Sequence, residues 1–144
     1  MEHGRVCFAA SILSALVAAC TTGGSTSSAT SALGPSGTGS TETFSGTVDV
    51  GGLDSHTFTV AQSGGQLNVT LTAAGPPPTI FMGIGVGTPS GASCSLLTNG
   101  QTLAQAGTVA QLSGTVNAGT YCVVVGDVGN QTSQVAYTVT VTHF

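Results

Sequence analysis

The stretch Gly119-Thr-Tyr-Cys-Val-Val-Val-Gly-Asp127 decides the fold class of this chain. It places a short β-forming run between residues that favour turns. Because side chains alternate between the two faces of a strand, Tyr121, Val123 and Val125 share one face and Cys122 lies on the other. Both faces are apolar, so the stretch predicts a central strand that is covered on both sides.

The same alternation recurs on either side of this strand, and each segment is bounded by Gly, Pro, Asn or Ser. The predicted strands are 43–50, 54–60, 66–72, 79–86, 108–116, 119–127 and 133–144, with a weak strand or extended loop at 101–107. This spacing of short strands predicts an all-β antiparallel sandwich of jelly-roll or immunoglobulin-like type. The inward faces of these strands predict the core residues Phe58, Val60, Leu67, Val69, Leu71, Ile80, Met82, Ile84, Tyr121, Val123, Val125, Tyr137, Val139 and Val141.

Two segments of the domain carry breaker residues. Pro76-Pro-Pro78 predicts a stiff polyproline-like connector, and residues 88–100 predict a loop that contains Cys94. Gly83 and Gly85 share one face of the strand before that loop, which indicates a bulge, a bend or the close approach of a neighbour.

The N-terminal segment is typical of an export signal. Arg5 precedes an apolar run, Val6–Ala19, that is too short to span a bilayer and has the length of a signal-peptide core. The sequence Leu16-Val-Ala-Ala-Cys20 resembles the bacterial lipoprotein box. That resemblance implies removal of a leader helix at 1–19 and acylation of Cys20, with palmitate-type chains as the membrane anchor. An ordinary signal peptide with an incidental cysteine is the alternative.

Residues 20–43 then comprise the lipidated cysteine and a tether of mainly Thr, Ser, Gly and Ala. Such a segment buries too little apolar surface to offset its ordering entropy, so we expect a flexible linker, or alternatively a glycosylated stalk. The sandwich domain is predicted to occupy residues 44–144.

Four motifs follow one another along that domain: Leu53-Asp-Ser-His-Thr-Phe-Thr-Val60, Gly65-Gln-Leu-Asn-Val-Thr-Leu-Thr-Ala73, the Gly119 stretch and Val135-Ala-Tyr-Thr-Val-Thr-Val141. Their order resembles the bacterial pre-peptidase C-terminal (PPC) family. The resemblance implies a jelly-roll sandwich that accompanies other envelope or secreted proteins. The chain departs from the family at Pro78–Gly83, where an acidic motif is usual, and only Glu42, Asp49 and Asp54 remain as a possible calcium site.

The charge content excludes several classes of partner. Charged residues make up 4% of the chain, against about 25% in an average protein, and Arg5 is its only Lys or Arg. Nucleic-acid binding and binding to an anionic lipid surface both need clustered cations, so neither is expected. No cofactor is predicted.

Cys94 and Cys122 remain once Cys7 leaves with the leader and Cys20 is acylated. An even pair in an exported domain predicts a disulfide, with free thiols or metal ligands as alternatives. Two cysteines without neighbouring paired histidines do not favour zinc, and no metal site is predicted.

The histidines do not form a predicted catalytic site. Ser55, His56 and Asp54 are neighbours on one strand and point to alternate faces, so alone they cannot form a triad. His143 ends the last strand, where we expect an exposed side chain. No catalytic residue is predicted.

We therefore expect a non-enzymatic lipoprotein of the bacterial envelope, anchored at the outer membrane. Its sandwich would be a binding or accessory module for a neutral polymer such as a glycan, or for a protein. The alternative is a structural lipoprotein without a ligand that associates with itself through sheet edges.

Overall fold

A computed structural model describes residues 38–144, which belong to one compact unit, Gly34–Phe144. The predicted leader helix, Cys20 and most of the predicted tether lie outside the described residues. The described residues form eight strands and contain no helix, so none of them belongs to a helix able to cross a membrane. The strands are β1 (Ser40–Val48), β2 (Leu53–Val60), β3 (Gly65–Gly75), β4 (Met82–Ser90), β5 (Ser93–Ala104), β6 (Leu112–Val116), β7 (Gly119–Gly126) and β8 (Val135–His143).

The strands form two four-stranded antiparallel sheets, in the orders β1-β8-β3-β6 and β2-β7-β4-β5. The first strand therefore pairs with the eighth, the second with the seventh, the third with the sixth and the fourth with the fifth. This nested pairing is the strand order of a jelly roll. The predicted all-β sandwich is confirmed, and of the two predicted types the chain adopts the jelly roll.

The core lies between the inner faces of the two sheets. Val69, Val123, Val139 and Val141 are fully buried there, because alternate side chains of interior strands meet across the sandwich. Also buried are Phe58, Val60, Leu67, Leu71, Ile80, Met82, Ile84, Val125 and Tyr137. Tyr121 is half-buried and packs against the core, with its ring centroid 5.9 Å from that of Phe58.

Several element boundaries differ from the sequence-based predictions. β1 begins at Ser40, so residues 40–43 of the predicted tether are strand, paired with β8 from Thr140 to His143. The loop predicted at 88–100 is wrong: β4 continues to Ser90, Gly91 and Ala92 turn the chain, and β5 follows. The Ser, Gly and Asn residues of this segment favour turns locally, but pairing between β4 and β5 outweighs that preference.

Two connections also differ. Pro76–Pro78 belongs to a turn rather than an extended connector, since the Ile80 N–H donates to the Pro77 carbonyl at 3.1 Å. β6 begins at Leu112 because residues 105–111 cross from one sheet to the other. Along this crossing Gly107 and Gln111 donate their backbone N–H groups to carbonyls of β3.

The strand directions give the sandwich two unlike ends. The N-terminal end carries Ser40 and the short turns 61–64, 91–92 and 117–118. The opposite end, here called the loop end, carries the connections 49–52, 76–81, 105–111 and 127–134. The longest connections of the domain therefore lie at the end away from the point where the chain enters it.

Candidate binding groove

The outer face of the β2-β7-β4-β5 sheet has glycine at three alternate positions of β4. Gly83 pairs with Gly126, Gly85 with Val124, and Gly87 with Cys122. The intervening β4 residues, such as Ile84, point into the core, so the glycines occupy the outer face. The sheet is therefore low along its middle, where β4 presents backbone instead of side chains.

Taller apolar side chains flank this low strip and form a groove of about 530 Å³ at its loop end. Leu53 and Val128 form one wall, and Leu96 and Leu103 form the other. Leu53 is 70% exposed and Leu103 is 63% exposed, so the walls are open to solvent. The remaining lining residues are Gly51, Gly52, Gly83, Ile84, Gly85, Gln101, Thr102, Val124, Gly126 and Asp127.

The wall side chains lean over the glycines. A Cβ atom at Gly85 would lie 2.7 Å from a methyl carbon of Leu96, and one at Gly83 would lie 3.2 Å from Val128 Cγ1. The register of β4 with β5 also shifts between Gly85 and Gly87. Two of the features predicted for these glycines are therefore present: strand pairing is irregular beside them, and neighbouring side chains approach them closely.

The Cys94–Cys122 disulfide is confirmed, with a Cα–Cα distance of 6.0 Å. It joins β5 to β7 across the intervening strand β4, on the outer face that Cys122 was expected to occupy. A Cβ atom at Gly87 would collide with the Ser95 carbonyl and would lie 2.8 Å from Cys94 Sγ. Glycine at this position therefore lets the disulfide pass over β4, and the bond holds the β5 wall beside the groove.

Asp127 holds the loop end of the groove together. Its Oδ2 accepts the Gly51 N–H at 2.7 Å, and its Oδ1 accepts the N–H groups of Gly129, Asn130 and Gln131 at 2.9 to 3.2 Å. The Gly51 hydrogen bond chiefly holds the pKa of this carboxyl below its usual value, and the other three bonds add to the effect. The only acidic group among the lining residues is thus used to join the β1–β2 connection to the β7–β8 connection.

Exposed apolar residues are concentrated in the groove, on β5 and at the loop end of the domain. Among residues 38–144, every large exposed hydrophobic residue except Phe144 lies in the groove, on β5 or in a connection of the loop end. These residues are Val50, Leu53, Phe81, Leu96, Leu97, Leu103, Val109 and Val128. Apolar surface gathered in this way is typical of a binding surface rather than of scattered exposure.

The outer face of the other sheet is polar. Threonine and serine hydroxyls pair across β1 and β8 at Thr41–Thr142, Thr43–Thr140 and Ser45–Thr138, with oxygen–oxygen distances of 3.0 to 3.3 Å. Cross-strand hydroxyl pairs of this kind stabilise a sheet, and they leave a regular polar surface.

The His56 cluster lies between the sheets and not in the groove. The Tyr137 hydroxyl donates to Asp54 Oδ2 at 2.7 Å and lies 2.8 Å from His56 Nε2. Burial and the nearby Asp54 carboxylate raise the pKa of Tyr137 far above its usual value. Ser55 lies on the opposite face of β2, as alternation requires, so it does not meet His56.

His143 differs from expectation because it is buried, with 4% of its surface exposed. β8 is an interior strand, and His143 continues the inward series of Val139 and Val141. Its Nε2 lies 3.0 Å from Glu42 Oε1. The prediction that the His143 side chain is exposed is therefore wrong.

The acids considered for calcium are dispersed. Glu42 contacts His143, Asp54 contacts Tyr137, and Asp49 accepts a hydrogen bond from the Gln134 amide at 2.7 Å. Within residues 38–144 no three His, Cys, Asp or Glu side chains are grouped so as to hold a metal ion.

No family model matches the chain, and no curated protein matches it. Among solved structures it is similar to a crystal structure of Aeromonas hydrophila PliG, a periplasmic lysozyme inhibitor of g-type lysozyme. The two share 16% sequence identity over 72% of this chain and 86% of that chain, with a TM-score of 0.43. Likeness at this level does not extend to function.

Proposed function

We propose that this protein is a non-catalytic binding module of the bacterial envelope, anchored to the outer membrane through acyl chains on Cys20. The groove on the β2-β7-β4-β5 sheet is its binding site. Its partner is an uncharged segment of a protein or of another polymer.

The observation that carries this proposal is the position of the apolar surface. The groove and the exposed apolar connections lie at the loop end, whereas the chain enters the sandwich at Ser40, at the other end. An anchor that precedes Ser40 would be attached through the end of the sandwich that is away from the groove. A domain tethered in this way can reach a partner without burying its own binding surface against lipid.

The charges of the groove favour a neutral partner. Asp127 already accepts four backbone N–H groups, and Gln101 and Thr102 are the neutral side chains with polar groups in the lining. An anionic group of a ligand would lose its hydration here without gaining an opposite charge, since no cation lines the groove. A cationic group would meet only the Asp127 carboxylate, whose oxygens are already engaged by four N–H groups. Because no aromatic side chain lines the groove to stack on a sugar ring, an apolar peptide segment fits it better than a glycan.

The polar clusters of the described domain support a non-catalytic role. These ionisable groups lie between the sheets and are absent from the groove lining: His143 contacts Glu42, and the Tyr137 hydroxyl contacts both His56 and Asp54. General acid–base catalysis needs such a group within hydrogen-bond reach of a bound substrate. The proposed kinship with PPC domains is supported by the jelly-roll strand order, since that is the fold which the resemblance implies.

Binding is tested by probing arrays of neutral glycans and of uncharged peptides with the labelled Gly34–Phe144 unit and with its Val128→Glu variant. Val128 leans over Gly83 from a loop, so glutamate there places a charge in the groove without disturbing the core. We expect at least one probe to bind, and the variant to bind it about 10-fold or more weakly. The matched control is Thr43→Glu on the hydroxyl-covered face, which should bind as the unmodified unit does. If no probe binds, or if both variants lose binding equally, the groove is not the binding site.

The anchor is tested separately by labelling cells with radioactive palmitate. We expect the full-length chain to incorporate label and to sediment with membranes, and the Cys20→Ala variant to do neither. Equal labelling of the two chains would remove the anchor from the proposal without affecting the groove.

A further inference from the structure

We propose that two copies of this protein associate through the β5 edge, with β5 of one copy against β5 of the other. The contact would bury Leu97 and Leu103 of both copies about a two-fold axis. Leu103 is also part of a groove wall, but the contact needs no ligand, so the inference does not depend on the proposed function.

The four sheet edges of the described domain are not equally protected against association. β1 and β2 carry Glu42 and Asp54, both turned towards the sandwich interior, and β6 has only five residues. Inward-pointing charges and short edge strands are known protections against pairing with another chain. β5 has twelve residues, Ser-Cys-Ser-Leu-Leu-Thr-Asn-Gly-Gln-Thr-Leu-Ala, with neither a charge nor a proline.

One irregularity shapes the contact. β4 residues Gly85 and Gly87 pair with Gln101 and Leu96, so residues 97–100 of β5 bulge opposite a single β4 residue. A bulge interrupts strand pairing and bends the strand. The contact between copies is therefore mainly one of apolar side chains, with straight segments at 93–96 and 101–104, rather than an unbroken twelve-residue ladder.

The distribution of charge makes β5 the edge at which a second copy is least repelled. Residues 38–144 contain four acids and no Lys or Arg, since Glu2 and Arg5 precede them, so two copies repel each other overall. Glu42 and Asp54 lie on β1 and β2, at the side of the sandwich opposite β5 and β6. An approach through β5 keeps these acids farthest apart, and it brings together two uncharged edges that expose Leu97 and Leu103.

The two-fold arrangement closes the association at a dimer. In an isologous contact each copy uses the same surface, so no second β5 edge is left over for a third copy. The two grooves then lie on either side of the shared rim, which gives the dimer two neighbouring binding sites. A polymer that engages both would be held more tightly than by one groove alone.

Sedimentation of the Gly34–Phe144 unit, which contains the whole two-sheet core, tests the proposal from about 5 to 500 µM. We expect a reversible shift from monomer to dimer with rising concentration. Leu103→Lys and Leu97→Lys should each weaken the dimer about 10-fold or more, because each replaces a leucine that the contact buries with a charged side chain. Raising the salt concentration should strengthen the dimer or leave it unchanged, since salt screens the repulsion between like charges.

Leu53→Lys is the matched control. Leu53 is about as exposed as Leu103 and belongs to the same groove, but it lies on β2 at the other edge of the sheet. Its replacement should leave the dimer intact. A unit that stays monomeric at the highest concentration, a contact broken by Leu53→Lys but not by Leu103→Lys, or association weakened by salt would each overturn the proposal. Circular dichroism and melting curves of each variant establish that a lost dimer is not a lost fold.

Discussion

The outer faces of the two sheets are built from the same kinds of strand but present opposite surfaces. On the β1-β8-β3-β6 sheet, the outward positions of β1 and β8 carry Thr or Ser except at Ala136, and three hydroxyl pairs join the two strands. On the β2-β7-β4-β5 sheet, the middle strand carries Gly83, Gly85 and Gly87, and leucines and valines rise around it. The first face carries polar groups that are paired with each other, whereas the second face carries an apolar groove.

The difference separates a polar face from an apolar face in a domain with almost no charge. Paired hydroxyls satisfy each other and still present oxygen atoms to water, so the first face needs no charged residue. The second face gains apolar contact area only when a partner covers it. The disulfide lies on this second face, where the backbone strip of β4 lacks side chains to pack the neighbouring strands against each other.

Removing the disulfide should therefore have the largest effect. With 28 residues separating the two cysteines, chain entropy gives a loss of about 3 to 4 kcal/mol in the free energy of unfolding for the double variant Cys94→Ser, Cys122→Ser. Urea denaturation measures it. We also expect weaker groove binding, because the β5 wall is no longer held to β7. A double variant that keeps full stability would show that the second sheet does not need this bond.

Gly87→Ala should rank second, with a loss of about 1 to 3 kcal/mol. The new methyl group would meet the Ser95 carbonyl and the Cys94 sulfur, and neither can move without shifting β5. The matched control is Gly114→Ala on β6 of the other sheet, where a Cβ atom meets nothing within 4 Å. Urea denaturation should show Gly114→Ala to be neutral or slightly stabilising, and equal losses in the two variants would contradict the comparison.

Asp127→Asn should lower stability in a pH-dependent way. The pKa of Asp127 is depressed in the folded protein, so its carboxylate stabilises the fold at pH values above the ordinary pKa of about 3.9. That contribution is lost as the pH falls through the lower, folded-state value. The gap between the melting temperatures of the protein and the variant should thus be constant from about pH 5 to 7 and shrink below about pH 4.

Asp49→Asn provides the control for that experiment. Asp49 is exposed and accepts one side-chain hydrogen bond, from Gln134. Its replacement should cost less than that of Asp127 at neutral pH. A gap for Asp127→Asn that stays constant into acid would show that its four N–H bonds do not depend on the charge.

The smallest effect is expected on the hydroxyl-covered face. A double-mutant cycle with Thr43→Val and Thr140→Val should give a coupling of about 0.2 to 1 kcal/mol, as for other cross-strand pairs. Groove binding should not change in any of the three variants. A coupling far above that range would mean that this face contributes more to the fold than the groove face does.

Much of the strand content follows from local alternation. Val69 and Leu71 point inward, and Asn68 and Thr70 outward, because the period of two is a property of the strand itself. The disulfide also follows from the sequence, since Cys94 and Cys122 are the pair left once Cys7 and Cys20 are assigned to the predicted leader and anchor. Residues 88–100 were missed because Pro89 and Asn99 suggest turns, and because Leu96 and Leu97 do not alternate.

Local alternation along the chain was thus sufficient for the fold class and for the inward faces of most strands, and elimination among four cysteines was sufficient for the disulfide. The jelly-roll order, the burial of His143 and the groove depend on contacts between strands that are distant in sequence. The walls of the groove come from β2, β5 and the β7–β8 connection, which are distant in sequence. They flank the glycines of β4, and no local sequence pattern shows that these glycines lie at the bottom of a groove. Sheet pairing is non-local, so the surface on which two edges and two connections converge is set by the fold.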